Sequence, residues 1–212
     1  MSMEPRVAAV LERLEQRSKQ EQSELSELNT KGARFVREAA GRFMLDVGAD
    51  VGRLLNSLVR ALGARRVVEI GGSVGYSTVW LAEAAQATGG RVVSFEIDAH
   101  KVEEMRQNLS DARLLEHVQI IGEDASLHLA SLEGPFDLVL IDHWKDIYIR
   151  DFDLAWPKVR RGGIVVADNI LAPAATAAQL QAYVAHVRAA PGARSSTLPL
   201  GQGIELTQRI DG

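Results

Sequence analysis

The chain contains no cysteine. Disulfides, thiolate zinc sites and cysteine nucleophiles are therefore excluded, and a reducing cytoplasm is the compartment the composition fits. No apolar stretch approaches the ~18–20 residues of a membrane-spanning helix, so no membrane partner is expected. The N-terminus already carries Glu4 and lacks the apolar segment of a secretory signal, which again points to a cytoplasmic protein. Long basic runs are missing as well. Arg65-Arg66 and Arg160-Arg161 are short pairs ahead of strand-like segments, and the formal net charge is −4. A phosphate-tracking surface, and with it nucleic acid as a partner, is not expected. There is no internal repeat, low-complexity tract or linker.

The 212 residues, 46% hydrophobic and 25% charged, suit one globular domain that can bury a core without covalent staples. Residues 4–28 read as helical: Val7, Val10, Leu11 and Leu14 keep helical spacing, Leu25 and Leu28 resume it, and a polar interval over 16–24 separates them. A cap on the domain, a partner-binding arm and two short helices all fit; the cap, over residues 1–42, is favoured. From residue 43 to 212 helix and strand patterns alternate. Strands are predicted over 66–70, 91–96, 118–122, 136–141 and 163–167, with a closing pair over 197–200 and 204–209. Helices are predicted over 51–62, 76–87, 100–111, 126–131, 152–159 and 174–188. Short β-branched runs without polar alternation indicate strands covered on both faces. The fold class is therefore α/β: a doubly wound, mostly parallel sheet of seven strands with helices on both faces and the last strand antiparallel.

Val67-Val68-Glu69-Ile70 leads into Gly71-Gly72-Ser73-Val74-Gly75-Tyr76-Ser77. A strand, a glycine turn and a helix form a nucleotide-cofactor geometry, because glycine lets a ligand approach the backbone. The spacing is not G-x-G-x-x-G, so pyrophosphate binding is poorly supported. Glu96 ends the next strand, where a carboxylate can accept both ribose hydroxyls of a cofactor; a helix-capping acid is the plainer reading. Asp124 follows the third strand, where an acid can accept from an adenine amino group.

Two further strands end in oxygen ligands. Leu138 to Ile141 runs into Asp142-His143-Trp144-Lys145, and Ile164 to Ala167 runs into Asp168-Asn169. Two carboxylates and an amide are hard donors that suit Mg²⁺, Mn²⁺ or Ca²⁺ rather than zinc. They leave about three positions of an octahedral shell open, enough for two adjacent hydroxyls of a catechol or other vicinal diol and one water. Lys145 lies three residues beyond Asp142, so a helical turn brings both into one space. An ammonium beside a divalent cation is disfavoured, which suits Lys145 to act as a general base while the cation stabilises an oxyanion. Taken singly, Asp142 reads equally as a helix cap, Lys145 as a surface cation and Asp168-Asn169 as a turn. Their joint occurrence after consecutive strands favours the site.

The pattern Glu69-x-Gly71-x-x-x-Gly75-Tyr76-Ser77 resembles the first motif of class I S-adenosylmethionine-dependent methyltransferases. Asp142-His143-Trp144-Lys145-Asp146-x-Tyr148, together with Ala167-Asp168-Asn169-x-x-x-Pro173, resembles the catechol O-methyltransferases, with a likeness over roughly residues 43–170. This resemblance implies a Rossmann-like class I methyltransferase fold with S-adenosyl-L-methionine and Mg²⁺ as cofactors. It implies Asp142, Asp168 and Asn169 as metal ligands and Lys145 as the base on the hydroxyl that is methylated. Cofactor contacts are implied for Leu45, Val47, Glu69, Gly71, Tyr76, Ser77, Glu96, Ile97, Asp124, Ala125, Asp142, His143 and Trp144. Substrate contacts are implied for Phe43, Trp144, Lys145, Asn169 and Pro173, with Trp144 and Pro173 as apolar walls.

The chain departs from the animal enzymes at two places. Phe43 stands where they carry a tryptophan gate. Residues 198–205 resemble the bacterial relatives instead, and the glutamate that holds the second catechol hydroxyl has no clear counterpart. Regioselectivity and acceptor range are therefore open. The animal enzymes suggest a monomer and the bacterial ones a homodimer. Two other functions compete with methyl transfer: a nicotinamide-dependent oxidoreductase, disfavoured by the missing glycine fingerprint, and a non-catalytic cofactor-binding or scaffold protein, disfavoured by intact metal and base positions.

Overall fold

The computed structural model describes residues 3–171 and 177–211. Helix α1 (Pro5–Lys31) is one continuous helix of 27 residues, not two short ones. Its first half buries Val7, Val10, Leu11 and Leu14. The polar interval stays helical because its side chains are engaged. Arg17 bonds Glu21 one turn on at 2.6 Å and reaches Glu104, while Glu21 accepts from the Met44 backbone N–H at 2.8 Å. A short α2 (Ala33–Ala39) follows, and its sequence pattern did not announce it.

Beyond it run α3 (Ala49–Ala61), β1 (Arg66–Ile70), α4 (Tyr76–Thr88), β2 (Arg91–Phe95), α5 (Ala99–Asp111), β3 (Val118–Ile121), α6 (Ala125–Leu129), β4 (Phe136–Ile141), α7 (Tyr148–Ala155), β5 (Val159–Ala167), α8 (Ala177–Ala189), β6 (Ala193–Leu198) and β7 (Ile204–Arg209). The sheet has seven strands in the order β3-β2-β1-β4-β5-β7-β6. The first five pair in parallel, and β7 runs antiparallel to both β5 and β6. The expected doubly wound class and the antiparallel last strand are both present.

Side-chain alternation on the central strands divides the core in two. Leu138 and Leu140 of β4 join Val67, Ile164 and Val166 against α1, α3, α4 and α5. Val139 and Ile141 join Val68, Ile70 and Val165 against α6, α7 and α8. Strands covered on both faces need no polar residue, which is why these runs are largely apolar, Glu69 of β1 being a buried exception. Each fully buried leucine among them contributes roughly 2 kcal/mol by burial.

Three elements differ most in their bounds from the pattern reading, among them β5, which begins at Val159 and not at Gly163. The helix expected over 152–159 starts at Tyr148 and ends at Ala155. Pro157 cannot continue it, so the chain tightens through Trp156–Lys158 and enters β5 at Val159. β6 begins at Ala193, where the polar run Ala-Arg-Ser-Ser lacks strand-like residues and is recruited by pairing with β7. Among the described residues no helix is long and apolar enough to cross a membrane.

Candidate active site

The sheet register assembles the site. Ile70 pairs with both Phe95 and Ile141, and Ile141 pairs with Ala167. The next residue on each strand, Glu96, Gly71, Asp142 and Asp168, therefore emerges in one row at the carboxyl end of the sheet. The strand order reverses between β1 and β4, which is where an open α/β sheet leaves a crevice. A cleft of about 910 Å³ lies there.

Leu45, Val47, Gly71, Glu96, Ile97, Asp124, Ala125, Asp142, His143, Trp144, Lys145 and Asn169 all line this cleft. Five other expected site residues do not, among them Asp168, which is buried at 1% exposure. Phe43 is 2% exposed and turned into the core, so it offers no gate in this arrangement. Glu69, fully buried, takes hydrogen bonds from the hydroxyls of Ser77, Thr78 and Ser94 at 2.6, 2.5 and 2.5 Å. It braces the turn from behind, and burial pushes its carboxyl above the ordinary range despite those three donors. Ser77 is one of those donors, and Tyr76 points its hydroxyl to Glu15 at 2.8 Å, away from the cleft. Pro173 lies outside the described residues.

Gly71 has a second reason to be glycine. At φ 97° a side chain is strained, and a Cβ would sit 2.4 Å from the Asp142 carbonyl oxygen. The residue thus lets the ends of β1 and β4 close on one another. Backbone strain gathers around the same crevice: Leu45, Ser73 and Asn169 all hold positive φ without being glycine, and all three line it.

At the cofactor-like end, Glu96 is held by backbone donors, Ser73 N–H at 2.8 Å on one oxygen and Asp98 N–H at 2.9 Å on the other. Asp98, not Glu96, caps α5. Each Glu96 oxygen keeps a lone pair for a ligand hydroxyl. Asp124 caps α6 through Oδ1, which also receives Arg150 at 3.1 Å. Its other oxygen remains available to the cleft. Burial raises the Asp124 carboxyl, but the Ser126 bonds and Arg150 outweigh that and leave it below the ordinary range.

At the opposite end, Lys145 Nζ donates to Asp142 Oδ1 at 3.2 Å and to the Tyr148 hydroxyl at 2.7 Å. The Tyr148 hydroxyl in turn donates to the Asp168 carbonyl at 3.2 Å. Burial raises the tyrosine well above its usual range, so it stays a proton donor. Its ring stacks on His143 at 5.2 Å. His143 Nε2 pairs with fully buried Asp151 at 2.7 Å, and Arg150 closes on the same carboxylate at 2.6 Å. Burial pushes the Asp151 carboxyl up, yet these two partners hold it below the ordinary range. Arg37 of α2 lies 4.9 Å over the Trp144 ring and bonds Asp146 at 3.1 Å, docking the N-terminal segment on the Lys145 loop.

Asp142 and Asp168 form the unsettled part of the site. Burial raises both, and the Asp142 charge raises Asp168 further. Asp168 is 1% exposed and pushed up to about 8, with burial first and Asp142 second among the causes. Its Oδ1 is buried with no hydrogen-bond partner, while Oδ2 accepts from the Asn169 amide at 3.3 Å. Among the described residues no group of three His, Cys, Asp or Glu side chains could hold a metal. A cation here would thus rely on two carboxylates and the Asn169 amide oxygen. An orphaned buried carboxylate oxygen beside a second carboxylate is a donor set that fits a hard divalent ion.

Several residues of this site were not anticipated: Ser73, Asp46, Lys101, Gly201, Gln202 and, from α1 and α2, Gln22, Leu25, Asn29 and Arg37. Tyr148 stood in the recognised motif without a role, although its spacing three residues after Lys145 is the signal for a shared helical face.

Comparison with known proteins agrees with this geometry. A family model described as a methyltransferase domain matches residues 68–170. The catechol O-methyltransferase of Mycobacterium tuberculosis is 38% identical over 135 residues, which are 63% of this chain and 61% of that protein. The chain thus spans less than two thirds of that relative's length. Among solved structures, cofactor-bound Rv0187 from MTB superposes with a TM-score of 0.74 at 31% identity, covering 79% of this chain and 83% of the other. The O-methyltransferase TomG from Streptomyces achromogenes, involved in tomaymycin synthesis and solved in complex with SAM, superposes at 0.71 with 28% identity over 79% and 82% of the two chains. With the sheet order, the glycine turn and the two acid-tipped strands in place, residues 68–170 read as a methyltransferase domain, and the chain is similar to O-methyltransferases that include the catechol O-methyltransferases.

Proposed function

We propose that the protein transfers a methyl group from S-adenosyl-L-methionine to one hydroxyl of a catechol or similar vicinal dihydroxy aromatic, with the help of Mg²⁺. The observation that carries this reading is the convergence of Lys145, Asp142 and Asn169 at one end of a cleft, with Asp168 buried against Asp142 and Lys145, while the cleft's other end presents Glu96 and Asp124. Asp142, Asp168 and Asn169 would hold the cation. When bound there it supplies Lewis acidity, making an aromatic hydroxyl easier to ionise. The cofactor supplies the methyl group on sulfur.

The chain's own residues do the rest. Glu96 accepts the ribose hydroxyls, and the backbone N–H groups behind it fix its orientation before binding. Lys145 Nζ takes the proton of the reacting hydroxyl. Tyr148 holds that nitrogen at 2.7 Å, so the base is aimed by a second side chain instead of hanging free. His143 is fixed by Asp151, and Trp144 by Arg37, so the walls between the two ends are rigid. Trp144, half-buried, offers the acceptor ring an apolar face. Most of the acceleration would come from this positioning.

The test is incubation with S-adenosyl-L-methionine and a panel of catechols, with product mass and regiochemistry read by mass spectrometry, with and without chelator. Methylated diol that disappears on chelation and returns with Mg²⁺ is expected. Turnover undiminished after complete removal of divalent ions would overturn the cation's role, and methylation of simple phenols as readily as of diols would overturn the acceptor class.

A further inference from the structure

Lys101, on the first turn of α5, is a buried lysine that the proposed chemistry leaves without a task. It is 7% exposed and lines the cleft that Glu96 also lines. Four charged groups surround it: Glu96 and Asp98 from the β2–α5 loop, Arg17 and Glu21 from α1. Each carboxylate among them already accepts at least one backbone N–H. Glu96 holds the Ser73 and Asp98 backbone N–H groups. Asp98 Oδ1 caps α5 through the His100 and Lys101 backbone N–H groups at 2.9 and 3.2 Å. Glu21 holds Arg17 on one oxygen and the Met44 backbone on the other. Among the described residues the Lys101 ammonium makes no hydrogen bond. Burial lowers its affinity for the proton, so the site works against the charge it contains. An ammonium with three donors and no protein acceptor, on a side chain that lines the cleft, leaves those donors for a ligand.

We propose that Lys101 is a cofactor-binding residue whose ammonium donates to a ribose hydroxyl oxygen of the adenosyl cofactor, completing a clamp with Glu96. The two groups are complementary. A hydroxyl gives its one hydrogen to the Glu96 carboxylate and keeps lone pairs for an ammonium, so neither side chain competes with the other. Lys101 is thereby a binding residue and not a packing one. This inference rests only on the cofactor half of the function proposed above.

Isothermal titration of the full chain with S-adenosylhomocysteine tests it, comparing wild type with Lys101→Met and Lys101→Gln. Loss of a hydrogen bond to a charged donor corresponds to roughly a 10- to 100-fold weaker Kd in Lys101→Met, with partial recovery in Lys101→Gln. The unliganded Lys101→Met protein is expected to unfold at a higher temperature than wild type, because a partly desolvated charge is gone. A structural lysine would give the opposite shift. The 2′-deoxy and 3′-deoxy forms of the ligand locate the contact: the penalty of Lys101→Met shrinks to near nothing on the form lacking the bonded hydroxyl. Equal Kd in wild type and Lys101→Met overturns the inference. So does a penalty that persists on both deoxy ligands but vanishes on methylthioadenosine, which lacks the amino-acid carboxylate. Should wild type bind S-adenosylhomocysteine but methylate no diol, the acceptor reading fails and the Lys101 result still stands on its own. Absence of any binding by wild type removes both.

Discussion

The two ends of the cleft are built in opposite ways. At the cofactor-like end the acids are satisfied by the fold itself: Glu96 by two backbone N–H groups, Asp124 by the start of α6. At the Lys145 end, Asp142 and Asp168 are buried beside each other, both raised, and one Asp168 oxygen has no partner. The first end is finished before any ligand arrives, whereas the second is left short of positive charge. A fold that satisfies polar groups at one end and leaves them conflicted at the other is the pattern expected if, as proposed, an ion and a reacting group bind at the second. Lys101 is the cofactor-like end's one departure, a cation in want of an acceptor.

This contrast can be broken most sharply at Lys145. Replacing it with Met is expected to lower turnover about 10²- to 10⁴-fold, the usual range for a lost general base. Kd for S-adenosylhomocysteine should hardly move, and steady-state kinetics with titration calorimetry reads both. At the other end, Glu96→Ala should do the reverse. Cofactor Kd is expected to weaken roughly 10- to 100-fold, with turnover largely restored at saturating cofactor. If Glu96→Ala left Kd unchanged, the contrast between the ends would be misdrawn.

Tyr148→Phe separates aim from chemistry. The phenylalanine keeps the stack on His143 but removes the oxygen 2.7 Å from Lys145 Nζ. A fall in kcat of about tenfold with KM for the diol nearly constant is expected, equivalent to roughly 1.4 kcal/mol of misplacement.

Asp168→Asn tests the conflict itself through stability. The folded Asp168 carboxyl is pushed up to about 8, above its unfolded value of about 3.9. Between those two values the folded state holds a proton the unfolded state has released, so stability falls as pH rises. Thermal unfolding of metal-free wild type minus Asp168→Asn should therefore decline from about pH 4 to about pH 8. Added Mg²⁺ should flatten the difference. A difference independent of pH would remove the proposed conflict between the two acids.

Much of this was legible in the linear chain. Largely apolar runs such as Val67–Ile70, interrupted by Glu69, and Leu138–Ile141 identify strands covered on both faces, and their abrupt polar ends identify the edge that lines the cleft. The register carries those ends, Gly71, Glu96, Asp142 and Asp168, to one edge of the sheet. Less was legible where a residue's identity fits both a motif and a structural task. Glu69, Tyr76 and Ser77 belong to the glycine-turn motif, yet they brace it from behind and do not line the cleft. Phe43 stood at an expected gate and is packed into the core. The α1–α2 contribution was hidden for another reason. Gln22, Asn29 and Arg37 are ordinary polar helix residues until the helices cross the mouth of the crevice.

By itself, then, the sequence determined the alternating architecture, the glycine turn and the oxygen donors at successive strand ends. Those are local: period, turn chemistry and donor type are properties of short stretches. Only the tertiary structure decided that Tyr148 aims Lys145, that Asp151 fixes His143, that Arg37 stacks on Trp144 and that Lys101 is buried without a partner. Each of those depends on burial and on which groups meet across the fold. Spacing along the chain does not encode how much water a side chain keeps or which neighbour has already claimed its hydrogen bond.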